Sequence, residues 1–137
     1  MQVGSRREAR ERALSLLYEA EAKDLTPAAV LDQLPLAPEP FVVELVRGVG
    51  IHLADIDAML GRLAVGWPVG RMPVIDRNLL RLAAYELMQR PEIPVGAVIT
   101  EAVELARMYS TEESGRFVNG VLSSVAAEVR PVPPASG

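Results

Sequence analysis

The sequence predicts an all-α domain, and three observations carry the prediction. Apolar residues recur at the three- and four-residue spacing of one helix face, with no sustained strand-like alternation. Clusters of proline and glycine separate these segments. Half of the 137 residues are hydrophobic but only 4% are aromatic, so the core is aliphatic. A chain of this length suits one domain and can bury roughly two thirds of its unfolded surface.

Element by element, the first helix is expected to start at Ser5. There "SRRE" reads as a capping box, with Glu8 three residues on. Ala9, Ala13, Leu16, Leu17 and Ala20 form its apolar stripe. "TPAAVLDQL" follows, with Thr26 as cap and Pro27 at the first helical position. "LAPEP" (36–40) breaks the chain. One long helix is then expected over 41–63, with Phe41, Leu45, Val49, Ile56, Met59 and Leu63 as its stripe. Gly48 and Gly50 inside it predict a kink or a close helix crossing. "VGWPVGRMP" (65–73) is a loop, "VIDRNLLRLAAYELMQR" (74–90) a helix, and "PEIP" its stop. "VGAVITEAVELARMY" (95–109) is amphipathic, and "STEE" (110–113) reads as a capping box for the last helix. Phe117, Val118, Val121, Leu122, Val125 and Val129 line that helix. "RPVPPASG" cannot continue it. The pattern gives five to seven helices in a single domain over 1–130, with 131–137 expected to be a flexible tail.

Composition excludes several function classes. There is no cysteine, hence no disulfide, thiolate metal site or thiol nucleophile. No apolar run approaches the roughly 18 residues of a membrane span, so a cytoplasmic protein with no membrane contact is expected. The only histidine, His52, lies inside an apolar stripe and reads as a hydrogen-bonded core residue. Neither GxSxG nor HExxH occurs, and no glycine-rich loop follows a strand. No catalytic residue, metal or cofactor is expected. The net charge of -4 argues against a sequence-blind nucleic-acid binder and suits a basic protein partner.

The charge is uneven. Four arginines and two glutamates stand in the first twelve residues, so the other 125 carry about -6. At 100° per residue, Arg6, Arg7 and Arg10 fall within one arc of about 100° at the helix start, and Tyr18 continues that arc. The positive end of the helix dipole disfavours cations there. An anion would favour the arrangement, because helix N-termini and arginine forks both bind phosphate. The other reading is a solvated face with Arg7–Glu11 and Glu8–Arg12 ion pairs. On the 74–90 helix, Asp76 and Glu86 fall within the apolar arc, while Arg77, Asn78, Arg81 and Tyr85 form the polar face. A buried carboxylate must be answered. Each one meets an internal arginine, caps a neighbouring helix, or faces a basic partner. Phe117 sits at the edge of its stripe beside Arg116, suited to stacking a base or to half-buried packing.

The stretches "RREARERALSLLYEAE", "DRNLLRLAAYEL", "IPVGAVITEAVELARMYS" and "ESGRFVNGVLSSV" resemble, in this order, the motifs of the NusB family. The resemblance covers about residues 5–130. It implies six to seven helices in two three-helix bundles packed roughly at right angles, and no enzyme activity. It implies binding of boxA single-stranded RNA together with NusE, the small-subunit ribosomal protein. The pair would join the elongating RNA polymerase with other Nus factors and suppress termination, notably in ribosomal RNA operons. By the resemblance, Arg6, Arg7, Arg10, Arg116 and Phe117 match positions at the RNA, with Tyr18 a further candidate. Glu113 matches an acidic position that tempers RNA affinity, and Asp76 matches one at the NusE contact, with Glu86 a second partner-facing candidate. The alternative is a protein-only module, such as a homodimer, or a ribosome-assembly factor without direct RNA binding.

Overall fold

The computed structural model describes residues 3–131, with side chains from Arg6 onward. It holds seven α-helices: α1 (Val3–Ala22), α2 (Pro27–Asp32), α3 (Pro40–Ile51), α4 (Leu53–Leu63), α5 (Val74–Gln89), α6 (Val95–Tyr109) and α7 (Glu112–Val129). A single 3-10 turn lies at Val69–Arg71, and no strand occurs among the described residues. α1, α2 and α3 pack into one bundle, and α5, α6 and α7 into a second. α5 also touches α1 and α3, and α4 lies along α5 and α7. One continuous aliphatic core runs through both bundles, with Leu16, Leu45, Ile56, Leu80 and Leu122 fully buried.

Local chemistry explains the helix ends. Thr26 Oγ1 accepts the Ala29 N–H at 3.1 Å, and Pro27 opens α2. Thr111 Oγ1 accepts the Ser114 N–H at 3.0 Å. The cap of α7 is therefore Thr111, one residue later than the expected box, and no glutamate closes it. α1 is already helical at Val3, so Ser5 lies inside it rather than at its cap. After α1, Asp24 takes a left-handed conformation (φ 55°) as Leu25 N–H returns to Ala20 O at 2.8 Å. The expected tail, 131–137, lies outside the described residues apart from Pro131.

The expected long helix is two. The break falls at His52 (φ -100°, ψ 12°), which is half-buried with its ring 6.1 Å from Tyr85. His52 is thus the joint between α3 and α4, not a core histidine. Gly48 marks a close crossing instead of a kink: a Cβ there would lie 2.2 Å from Tyr85 Cε1.

α5 departs most from its expected pattern. Asn78 and Tyr85, placed on the polar face by periodicity, are 1% and 7% exposed. The reason is tertiary. Both bundles pack on this helix, so little of its circumference meets water. Its arginines are anchored: Arg81 Nη2 meets Asp57 Oδ2 at 2.8 Å, and Arg77 holds Glu21. Arg130 closes the far end, donating to the carbonyls of Glu86, Leu87, Arg90 and Ile93.

Candidate functional site

The three arginines of the first turns do not stand together as a free clamp. Arg10 is buried, and its Nη2 and Nε donate to Glu86 at 2.7 Å and 3.0 Å. Burial alone would lower the Arg10 pKa, but the hydrogen bond and charge of Glu86 outweigh it and the net direction is upward. This corrects two expectations at once. Neither Arg10 nor Glu86 faces outward, because each answers the other's buried charge. Arg7 is half-buried, and its Nε donates to Glu101 at 2.8 Å while its Nη2 reaches Glu104. Neither of the expected pairs, Arg7–Glu11 and Glu8–Arg12, is made. Arg6 lies 5.4 Å over the Phe41 ring, with Nη1 buried and without a hydrogen-bond partner among the described residues. A hollow of about 250 Å³ opens between Arg6, Arg10, Glu92, Pro94 and Glu101.

Tyr18 belongs elsewhere. It is 49% exposed and lines a hollow of about 370 Å³ with Glu11, Leu14, Ser15, Ile75 and Tyr109. Tyr109, equally exposed, donates its hydroxyl to Glu11. Two aromatic rings over apolar side chains make a patch suited to a protein side chain.

A third hollow, of about 320 Å³, brings three expected residues together. Asp76 from the first turn of α5 meets Glu113 and Phe117 of α7, with Trp67, Pro73, Ser110, Thr111 and Ser114 completing the wall. Trp67 is half exposed and its ring centre lies 5.9 Å from that of Phe117, tilted by 58°. Arg116 is exposed on the same helix and forms no ion pair among the described residues. Asp76 is 3% exposed and its Oδ1 has no hydrogen-bond partner among the described residues. Of the three fates open to a buried carboxylate here, the internal arginine went to Glu86.

Sequence reasoning missed Trp67 and Tyr109. The signal for Trp67 was present: a lone tryptophan in a Gly/Pro loop has no helix face to bury it. No described helix is long and apolar enough to cross a membrane, and no group of three or more His, Asp or Glu among the described residues could hold a metal ion.

Known proteins share this architecture and sequence. The NusB family model matches residues 7–127. The transcription antitermination protein NusB of Acidothermus cellulolyticus is 47% identical over 90% of this chain and 88% of its own length. That of Salinispora arenicola is 45% identical over 89% of this chain and 95% of its own. A solved NusB from T. maritima superposes with a TM-score of 0.81 at 35% identity, covering 92% of this chain and 93% of that one. A solved complex of antitermination factors NusB and NusE with double-stranded RNA matches with a TM-score of 0.78 at 26% identity, covering 93% of this chain and 99% of that one. The chain belongs to the NusB family.

Proposed function

We propose that the chain binds boxA single-stranded RNA as a heterodimer with NusE, and that the pair joins the elongating RNA polymerase and other Nus factors to oppose termination in ribosomal RNA operons. The reading makes the chain a cytoplasmic adaptor, not an enzyme. The observation that carries it is the hollow beside α7, lined by a half-exposed Trp67 and by Phe117, with Arg116, exposed and in no ion pair among the described residues, one position before Phe117 on the same helix. Aromatic faces and a free cation are what an unstacked, single-stranded base and its phosphate require. Arg6 and Arg7 supply further positive charge at the start of α1, and Glu113 tempers the affinity. Asp76 at the start of α5 is the residue read as contacting NusE, and the Tyr18–Tyr109 hollow, with Ile75 at its edge, suits the same partner. An acidic chain complements a basic ribosomal protein. Once docked, NusE makes its own RNA contacts nearly intramolecular.

The test is fluorescence anisotropy of a short boxA-like RNA with the chain, alone and with NusE, at several salt concentrations. NusE strengthens binding, and log K falls with log salt by about 0.7 per contacted phosphate. Absence of binding even with NusE refutes the reading and leaves a protein-only module.

A further inference from the structure

Three guanidiniums gather over the ring of Phe41, a buried residue in the first turn of α3. Arg6, Arg10 and Arg90 lie 5.4 Å, 5.9 Å and 5.3 Å from its centre. Arg6 and Arg10 reach it together because they stand one turn apart on α1. Two of the three are answered by carboxylates. Arg10 holds Glu86, and Arg90 holds Glu44 and Glu92. Arg6 forms neither an ion pair nor a hydrogen bond among the described residues, and it rests on the ring. The acids that border its hollow are already taken: Glu101 accepts from Arg7 Nε at 2.8 Å, and Glu92 accepts from Arg90. The difference matters for a ligand. A carboxylate occupies the N–H fork of a guanidinium. An aromatic face attracts the cation without an acceptor atom and leaves those donors free.

We propose that Phe41 is the positioning residue for Arg6: its ring holds the guanidinium at the hollow where α1 meets the start of α6, with N–H donors open to a phosphate of the bound RNA. The inference rests on the RNA-binding role proposed above and adds to it a residue that does not itself touch RNA. Phe41 is 8% exposed, too enclosed to stack a base, so it acts through Arg6. What the ring supplies is preorganisation. An arginine on an open helix face samples many rotamers, and ordering it on binding uses up part of the contact's energy. Over Phe41 the side chain is ordered before RNA arrives. A carboxylate at the same place would order Arg6 as well, but it would also neutralise the charge that a phosphate binds. Arg7, the next residue, shows that case, because Glu101 and Glu104 hold it. Of these two neighbours, Arg6 is therefore the stronger phosphate ligand.

The test is a double-mutant cycle on the full chain with NusE, read by the anisotropy of a labelled boxA-like RNA. Phe41→Leu keeps the position apolar and removes the ring face. It weakens RNA binding about three- to fivefold, the range of a cation–π contact partly shielded from water. Arg6→Ala weakens binding at least as much, and more than Arg7→Ala does. It also lowers the slope of log K against log salt by about 0.7, the share of one phosphate. In the Arg6→Ala background, Phe41→Leu has no further effect. Phe41→Tyr keeps the face and binds as the native chain does. A Phe41→Leu effect of equal size with and without Arg6 means a merely structural ring and overturns the proposal, as does a larger loss from Arg7→Ala than from Arg6→Ala. Should Phe41→Leu fail to fold, Arg6→Lys decides with the core intact. It keeps the charge and loses the planar fork, so it binds RNA as weakly as Arg6→Ala. Native-like binding by Arg6→Lys shows that charge alone suffices and overturns the proposal. If the native pair binds RNA and Arg6→Ala leaves affinity unchanged, this inference fails and the RNA-binding role stands. Absence of RNA binding by the native pair overturns both.

Discussion

The Arg10–Glu86 pair offers the sharpest test of the fold. Glu86→Leu removes one partner and leaves a guanidinium in an enclosed site walled by Leu79, Leu82, Val98 and Leu105. The side chains of Arg10 and Glu86 are 7% and 2% accessible, so solvent cannot take over from the lost carboxylate. The free space beside the pair is about 10 Å³, enough for one water at most. Breaking a buried pair by removing one partner costs about 3–5 kcal/mol. Glu101, 4.0 Å from Arg10 Nη1, offers a partial substitute and places the expected loss at the lower end, about 3 kcal/mol. For a domain of this size that is a fall in Tm of roughly 10 °C, read by calorimetry or circular dichroism. The double variant Arg10→Met/Glu86→Leu removes both charges and recovers most of the loss, because apolar replacement of a buried pair is often neutral or stabilising. A single variant that loses less than about 1 kcal/mol, or a double variant no better than the single, refutes the reasoning. The double variant also separates structure from function. If Arg10 is wholly structural, RNA affinity in the presence of NusE is unchanged at a temperature where the variant is folded.

Two further tests follow from crossings and titrations. Gly48→Ala sets a Cβ 2.2 Å from Tyr85 Cε1 inside the core and costs about 1–3 kcal/mol by chemical denaturation. Gly115→Ala sets a Cβ 2.9 Å from Cγ of the half-exposed Arg107, which must shift but is not enclosed by the core. The gain in helix propensity offsets part of that cost, and the net loss is below about 1 kcal/mol. Equal effects at the two sites would show that the α3–α5 crossing is not close. Burial, and then the hydrogen bond Tyr85 donates to Glu44, push the Tyr85 hydroxyl up from 10.0 to about 12. The folded state therefore holds this proton more tightly than the unfolded state. The associated stability is intact below pH 10 and is lost as pH rises from about 10 to about 12. Ultraviolet titration shows a phenolate appearing near pH 12 that Tyr85→Phe abolishes. A native chain with no such late-titrating tyrosine contradicts the buried contact.

The elements were legible in the sequence because their signals are local. Thr26 with Pro27 marks a helix start within four residues, and the stripes of α6 and α7 need only their own periodicity. The break at His52 was not legible, since the apolar stripe continues across it from Val49 to Ile56. The polar face of α5 was misread for the opposite reason. Asn78 and Tyr85 are polar by type, yet a helix held between two bundles buries nearly all of its surface, and only tertiary packing reveals that. The site divides the same way. Asp76 and Glu86 were legible as carboxylates needing an answer, from their place in an apolar arc. Which one an arginine answers depends on Arg10, 76 residues from Glu86 in the chain.

The arginine cluster shows why charge in sequence is a weak guide to charge in space. Among the described residues, seven arginines form ion pairs: Arg7, Arg10, Arg62, Arg77, Arg81, Arg90 and Arg107. For Arg7 and Arg10, the densest positive run meets α5 and α6 carboxylates that lie far along the chain. A phosphate approaching Arg7 must compete with Glu101 and Glu104 already in place, so Arg7 contributes less than its count suggests. Arg116 has no such competitor among the described residues, whereas Arg6, on another helix, lies half-buried over Phe41 and shares its hollow with Glu92 and Glu101. A net charge of -4 adds a long-range repulsion. Cations this few on an acidic surface bind a polyanion weakly by charge alone. On the RNA-binding reading proposed above, affinity comes from shape-selective contacts, such as the Trp67–Phe117 hollow, and from a basic partner that supplies the missing positive field. The same balance makes the salt dependence diagnostic: a steep slope that appears only with the partner present assigns most of the phosphate contacts to the partner, and a steep slope without it would mean the α6 carboxylates release Arg7 on binding.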